Sequence, residues 1–427
     1  MKGIGFALNK EQILFLSALK ASLMHGSVSW DEEISFQEWI SLFKMAEIHK
    51  VLPMIYEAVY KCPSAQRADT SLFASFKQRT MQSVMVQTMK TVEFLNLYQH
   101  LCRMGVRPLV VKGIICRNIY PNPDYRSSSD EDLLISKEQF RACHRAMLSY
   151  GMEMSVPVTD LDAVHEVSYV KKGSPLYIEL HKSLFSPEAE AYGFLNQFFD
   201  DVQERVVVEY IQGVPVASMS YTDHLFYLIC HAFKHFLHSG FGIRQICDIV
   251  LFANNFGEQI DWQKVLYRCE EIHAEKFTAA LFQIGERYLI FSPQKAHYPV
   301  EWQKVCVDEQ PLLEDLLQSG IYGSADMSRK HSSMITLNAV AAQKKHGKSR
   351  FKRSILKTVF PSAKSLEGRF PYLKRCSLLL PVAWVSRLVR YEQETRNSAG
   401  NNAAKSIRIG NERVELLKQY GIIEWKQ

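Results

Sequence analysis

Apolar residues recur at helical spacing through most of the first hundred positions, and the pattern changes near Pro108. Between Ser35 and Tyr60 they fall three or four apart, with an interruption expected at Pro53. From Val84 to Met104 a long amphipathic run ends just before Gly105, a residue suited to closing a helix. Short runs of strand type follow, over Pro108–Val111, Asp132–Ile135, Glu166–Val170 and Leu176–Leu180. The last two flank Lys171–Ser174, which reads as a hairpin turn. Ser136 is placed to cap a helix over Lys137–Ser149. From Tyr221 the strand signals fade. Thr222 is placed to cap a helix running through His238, and further helices are expected over Ile243–Asn254 and from Asp261 onward. A dense run of Lys and Arg over Gln343–Arg353 reads as a linker or exposed helix, and helical patterning resumes near 354 with a break at Arg396–Ala404. The expected organisation is a helical region over 1–95, an α/β core over 96–218, a helical domain over 219–342, and a basic linker with a helical tail over 343–427. The pattern predicts an α+β fold, a small mixed sheet between helical flanks, with no internal repeat.

Composition narrows the class without naming it. At 427 residues the chain has ample material for a buried core, and 47% hydrophobic with 22% charged residues is ordinary for a globular protein. A net charge of +6 suits a polyanionic substrate but is a common bias. The nine cysteines show no Cys-x-x-Cys and no regular spacing, which argues against a disulfide framework or a zinc ribbon. Cys102, Cys230 and Cys247 lie in apolar segments and read as reduced core thiols, so a cytoplasmic protein is expected. The N-terminal stretch lacks a signal-peptide pattern, and no run approaches the roughly 20 apolar residues of a membrane span.

The candidate chemistry lies between Leu109 and Ile135. A short apolar run ends at Lys112-Gly113. A polar loop containing Arg126 follows, and then Asp130, Glu131 and Asp132 lead into Leu133, Leu134 and Ile135. Carboxylates two apart on a strand share a face, so Asp130 and Asp132 make a potential clamp for a divalent metal. Gly113 allows close backbone approach and Lys112 supplies a point charge for a phosphate. Arg126 could add a bidentate fork to the same anion. Farther on, Glu179 and His181 share one face of the strand around Tyr177–His181.

This set of residues resembles the polymerase-β-like nucleotidyltransferase superfamily, with a glycine turn after the first strand and Asp-x-Asp on the next. It is more closely similar to the family of uncharacterised nucleotidyltransferases. The match rests on Lys112-Gly113, Arg126, Asp130-x-Asp132-Leu-Leu and Glu179-Leu-His181, then on the segment His231–Asp248 and the tail Phe370–Tyr391. The resemblance implies transfer of a nucleoside monophosphate from an NTP to an acceptor hydroxyl. It implies Mg2+ or Mn2+ held by Asp130, Asp132 and Glu179, with Glu179 promoting deprotonation of the acceptor. It also implies nucleotide held by Lys112, Gly113, Arg126, His181 and Lys234. Two departures stand out. Glu131 occupies the usually apolar position between the acids, where a buried carboxylate needs water, a cation or a shifted register. Ile114 follows Gly113 where relatives more often carry a hydroxyl.

These departures keep a second expectation open, a catalytically degenerate relative that binds nucleotide or a partner protein. A third, a metal-dependent hydrolase using His231 and His235, is disfavoured because no Glu follows His231 to give His-Glu-x-x-His. Arg244 and Asp248, one turn apart, read as an intrahelical salt bridge. Nucleic acid is not the favoured partner, because the basic run Lys344–Arg353 lacks interleaved aromatics beyond Phe351. The acceptor, the base of the NTP and the oligomeric state are not encoded in any motif.

Overall fold

Among the described residues five helices precede the first strand: α1 (Lys10–Leu23), α2 (Phe36–Ile48), α3 (Leu52–Val59), α4 (Pro63–Gln66) and α5 (Thr70–Arg103). This is a computed structural model, and it describes residues 8–320, 327–346, 363–366, 370–374, 376–386 and 403–423. The apolar pattern over 35–60 divides at His49–Val51, where Lys50 takes φ 58°. Pro53 lies within the first turn of α3, where its missing N–H is not needed. Asn9 with Gln12, and Ser35 with Glu38, form capping boxes that start α1 and α2. Phe43 stacks on Phe76 of α5 with ring centroids 4.0 Å apart, tying this helical layer together.

The sheet that follows contains β1 (Leu109–Val111), β2 (Glu131–Leu134), β3 (Glu153–Met154), β4 (Glu166–Val170) and β5 (Tyr177–His181), in the order β1-β2-β5-β4-β3. β2 and β5 are parallel and the other pairs antiparallel. Helix α6 (Gly113–Asn118) leaves β1, and α7 (Lys137–Ser149) leaves β2 with Ser136 as its N-cap. The fold is α+β with a small mixed sheet between helical flanks, as the residue pattern predicts. A hairpin of β6 (Val206–Ile211) and β7 (Val214–Met219) turns on Gln212 and Gly213, both at positive φ, as a two-residue hairpin turn requires. The hairpin is bonded to its surroundings. Ser218 Oγ donates to the carbonyl of Val110 at 2.7 Å, and the Ala217 N–H donates to Tyr98 Oη at 2.9 Å.

Helices α8 (Tyr221–His238), α9 (Ile243–Phe256), α10 (Trp262–Glu271), α11 (Glu275–Tyr288), α12 (Val300–Gln303), α13 (Gln310–Ser319) and α14 (Met327–His346) complete the described chain up to 346. Asp261 caps α10 by accepting from the Lys264 N–H. The chain folds as two compact units, a larger one made of residues up to 232 with 242–317, and a smaller one of 233–241 with the chain from 318. In the smaller unit α14 lies alongside the helix Ala403–Gln419, and Gly410 gives Ile335 room to approach. Leu366, Phe370, Leu373 and Ala383 form a small core there. The basic run 347–353 and the tail residues 387–391 lie outside the described residues, as does 396–402 of the break. Among the described residues no helix is long and apolar enough to cross a membrane.

Two histidines in the larger unit are buried in one tautomer. His49 accepts the Ile243 N–H at Nδ1 and donates from Nε2 to the Leu317 carbonyl. His224 accepts the Lys112 N–H at Nε2 (3.0 Å), so its Nδ1–H faces Ser218 Oγ (3.2 Å). Burial lowers the pKa of His49 to about 4 and that of His224 to about 3. The folded state therefore excludes protons that the unfolded chain binds below its histidine pKa of about 6.5, and stability falls as pH drops through that value toward the folded pKa. Urea denaturation across pH 7 to 5 is expected to show losses approaching about 1.4 kcal/mol per pH unit for each histidine. His49→Gln is expected to flatten the slope.

Candidate active site at the start of β2

The β1–α6 turn and β2 are joined through a carboxylate inside the core. Glu131 is fully buried, and its Oε2 accepts the Ile114 N–H at 2.7 Å. Its Oε1 accepts from Arg117 Nη2 at 2.7 Å and from Ser128 Oγ at 3.1 Å. Arg117 is the cation that the buried acid requires, and the strand register is regular. Glu131 is thereby engaged in holding the turn, on the sheet face opposite Asp132. Gly113, at φ 32°, is the residue that permits this. A Cβ there would lie 2.0 Å from Glu131 Oε2.

Lys112 precedes it at φ 55° and ψ −116°, a conformation that costs a non-glycine residue energy and is stored where surroundings over-determine it. Its backbone N–H is fixed by His224. Its ammonium lies 2.7 Å from Asp132 Oδ2 and 3.1 Å from His231 Nε2. Asp132 Oδ1 lies 3.1 Å from His181 Nε2, and that nitrogen lies 3.7 Å from Glu179 Oε2. Asp132 and Glu179 are register partners on the parallel strands β2 and β5, so their side chains stand on one face. Ligand atoms of Asp132, Glu179 and His181 all lie within 4.8 Å of one another.

The electrostatics follow from this packing. Burial opposes the charge on Asp132, yet the Lys112 ammonium and the His181 hydrogen bond hold its carboxyl well below the usual range. Burial would lower the pKa of His181, but its hydrogen bonds to Asp132 and Glu179, and the charges of Asp132 and Glu166, raise it to about 9.

The remaining sequence candidates are placed as follows. Asp130 precedes β2, half-buried, with Oδ1 accepting from Ser129 Oγ at 3.0 Å, and does not belong to the 4.8 Å group. Arg126 is buried and its Nε and Nη2 donate to Asp248, each at 2.7 Å, while Tyr120 Oη donates to the same carboxylate. Arg244 donates to the Ser127 carbonyl, so the bonded cation of Asp248 is Arg126 and the intrahelical bridge is replaced by a link to the loop before β2. Lys234 is half-buried on α8 and belongs to the smaller unit. Lys90 and Gln87 of α5 carry no motif that sequence reasoning detects. Lys90 Nζ donates to the carbonyls of Ser128 and Ser129 at 2.7 Å, and Gln87 Oε1 accepts the Ser128 N–H at 2.8 Å. With Ser83, bonded to Ser127, they form a polar stripe at helical spacing that holds the loop carrying Asp130.

A family model described as "Uncharacterised nucleotidyltransferase" matches residues 35–289, which run from α2 through the sheet to α11. The chain belongs to this family. It is therefore a nucleotidyltransferase by class, an enzyme that transfers a phosphorus-containing group. All the site residues named above lie inside the matched span. No curated protein and no solved structure matches the nucleotidyltransferase.

The anchor can be tested apart from the chemistry. Arg117→Met leaves Glu131 without its cation and is expected to cost about 3–5 kcal/mol in urea denaturation. Gly113→Ala forces the Glu131 carboxylate aside and is expected to cost roughly 2–3 kcal/mol by the same measurement.

Proposed function

We propose that the protein moves a nucleoside monophosphate from an NTP to an acceptor hydroxyl with the help of a divalent cation. The observation that carries this reading is the group formed by Asp132, Glu179 and His181 beside the Lys112 ammonium. Two neighbouring carboxylates are a donor set that fits Mg2+ or Mn2+. Asp132 and Glu179 hold the ion, His181 orients them, and Asp130 stands at the approach to β2. A bound cation supplies neutralisation of the α-phosphate and of the leaving pyrophosphate.

The chain's own groups supply the rest. The acceptor oxygen forms a bond to the α-phosphorus, the bond from that phosphorus to the bridging oxygen breaks, and pyrophosphate departs. Glu179 takes the proton of the acceptor hydroxyl. Lys112 gives its positive charge to the phosphate oxygens, and Gly113 keeps the turn free of a side chain. A cavity of about 240 Å3 lies at the C-terminal ends of β2 and β5, lined by Leu134, Ser136, Lys182, Ser183 and Phe199 among others.

One observation favours a second reading. Both oxygens of Asp132 are already held, by Lys112 and by His181, which suits a catalytically degenerate protein that binds nucleotide or a partner without turnover. Purified protein incubated with each α-labelled NTP, Mg2+ or Mn2+ and a cell extract separates the two. The expected result is label on an acceptor, slowed at least about 100-fold by Asp132→Asn. Metal-dependent NTP binding without transfer would establish the second reading, and neither binding nor transfer would sink both.

A further inference from the structure

Tyr227 belongs to the same face of α8 as His224 and His231, three residues after one and four before the other. Both histidines reach Lys112, one at its backbone N–H and the other at its ammonium. Tyr227 stands between them and is only 3% exposed. Its ring is held by Phe185, Phe199 and His231, each with a centroid separation of 5.9 Å, so the phenol has a fixed position. Among the described residues no hydrogen-bond partner serves its hydroxyl. Burial above all raises its pKa, with Lys112 opposing and the charges of Asp132, Asp130 and Glu179 adding, so the phenol keeps its proton and can donate it.

The hydroxyl is not sealed from solvent, so an acceptor on a ligand can reach it in place of water. The space between an ammonium and three carboxylates is where phosphate oxygens lie if the nucleotidyl-transfer reading is right, and the present inference rests on that reading. We propose that the Tyr227 hydroxyl donates a hydrogen bond to a phosphate oxygen of the bound nucleotide, making Tyr227 a further substrate-contacting residue. Lys112 is the charge on the phosphate side, and its ammonium meets His231, whose ring lies against that of Tyr227. The pyrophosphate portion, rather than the base or the acceptor, is therefore the group Tyr227 contacts.

Inorganic pyrophosphate is the probe, because it is the product common to every NTP and needs neither the base nor the acceptor to be known. Calorimetric titration with Mn2+ alone, and then with pyrophosphate in the presence of Mn2+, compares wild type, Tyr227→Phe and Asp132→Asn. Tyr227→Phe is expected to bind Mn2+ like wild type and pyrophosphate about 10-fold more weakly. Because the hydroxyl serves no protein partner, its Tm is expected to stay within about 1 °C of wild type. Unchanged pyrophosphate affinity would overturn the assignment alone, as would a fall in Tm large enough to account for weaker binding. A wild-type protein that binds neither Mn2+ nor pyrophosphate would overturn the transferase reading of the site, and the Tyr227 assignment with it.

Discussion

The carboxylate of Glu131 ties the first residues of β2 to the first turn of α6, and the site geometry depends on that tie. With its charge met by Arg117 and its second oxygen on the Ile114 N–H, it fixes the β1–α6 turn against the strand. Lys112 is then forced into a left-handed backbone conformation beside Asp132, on the other face of β2. A buried ion pair is weak evidence for net stability, since hydrophobic isosteres often do as well. Its clearer role here is geometric. A leucine at position 131 would fill space, but it could not accept the Ile114 N–H.

The layer of contacts around this tie is made by distant elements. α5 supplies Lys90, Gln87 and Ser83 to the loop before β2, and α9 supplies Asp248 to Arg126 within that loop. α8 supplies His224 to the Lys112 backbone. The loop over 122–130 is therefore held from two sides by charged and amide groups rather than by a hydrophobic core. Such bonds are directional, so they set where Asp130 begins its approach to β2 more sharply than apolar packing would.

Much of the fold is legible because the local signals agree with the packing. Ser136 caps the helix that its position predicts, and Lys171–Ser174 lies in the turn between β4 and β5. The β6–β7 hairpin escapes a reading of the sequence although Gln212-Gly213 between two alternating valine-rich runs is a hairpin signal; its nearness to the helical domain obscures it. In the site, period two brings Asp132 and Glu179 to neighbouring places only once the parallel pairing of β2 with β5 is known, and no local pattern encodes that pairing. The same gap explains Arg126 and Asp248. They are 122 positions apart, and spacing along one helix points to Arg244 instead. Lys90 is invisible for a related reason, since a lysine on an amphipathic helix reads as solvated until a loop from elsewhere covers it.

Residues 131 and 132 are neighbours in the chain with opposite duties. Glu131 looks into the core and is committed to scaffold contacts, while Asp132 faces the cleft with Lys112, Glu179 and His181. Because the first-turn N–H of Ile114 is already taken by Glu131, the proposed grip on an anion is assigned to side chains rather than to the helix end. Scaffold and reactivity are thus written in separate codons of one strand. Drift in the cleft-facing set can remodel what the protein handles while the architecture persists, which makes this arrangement a permissive substrate for evolutionary divergence.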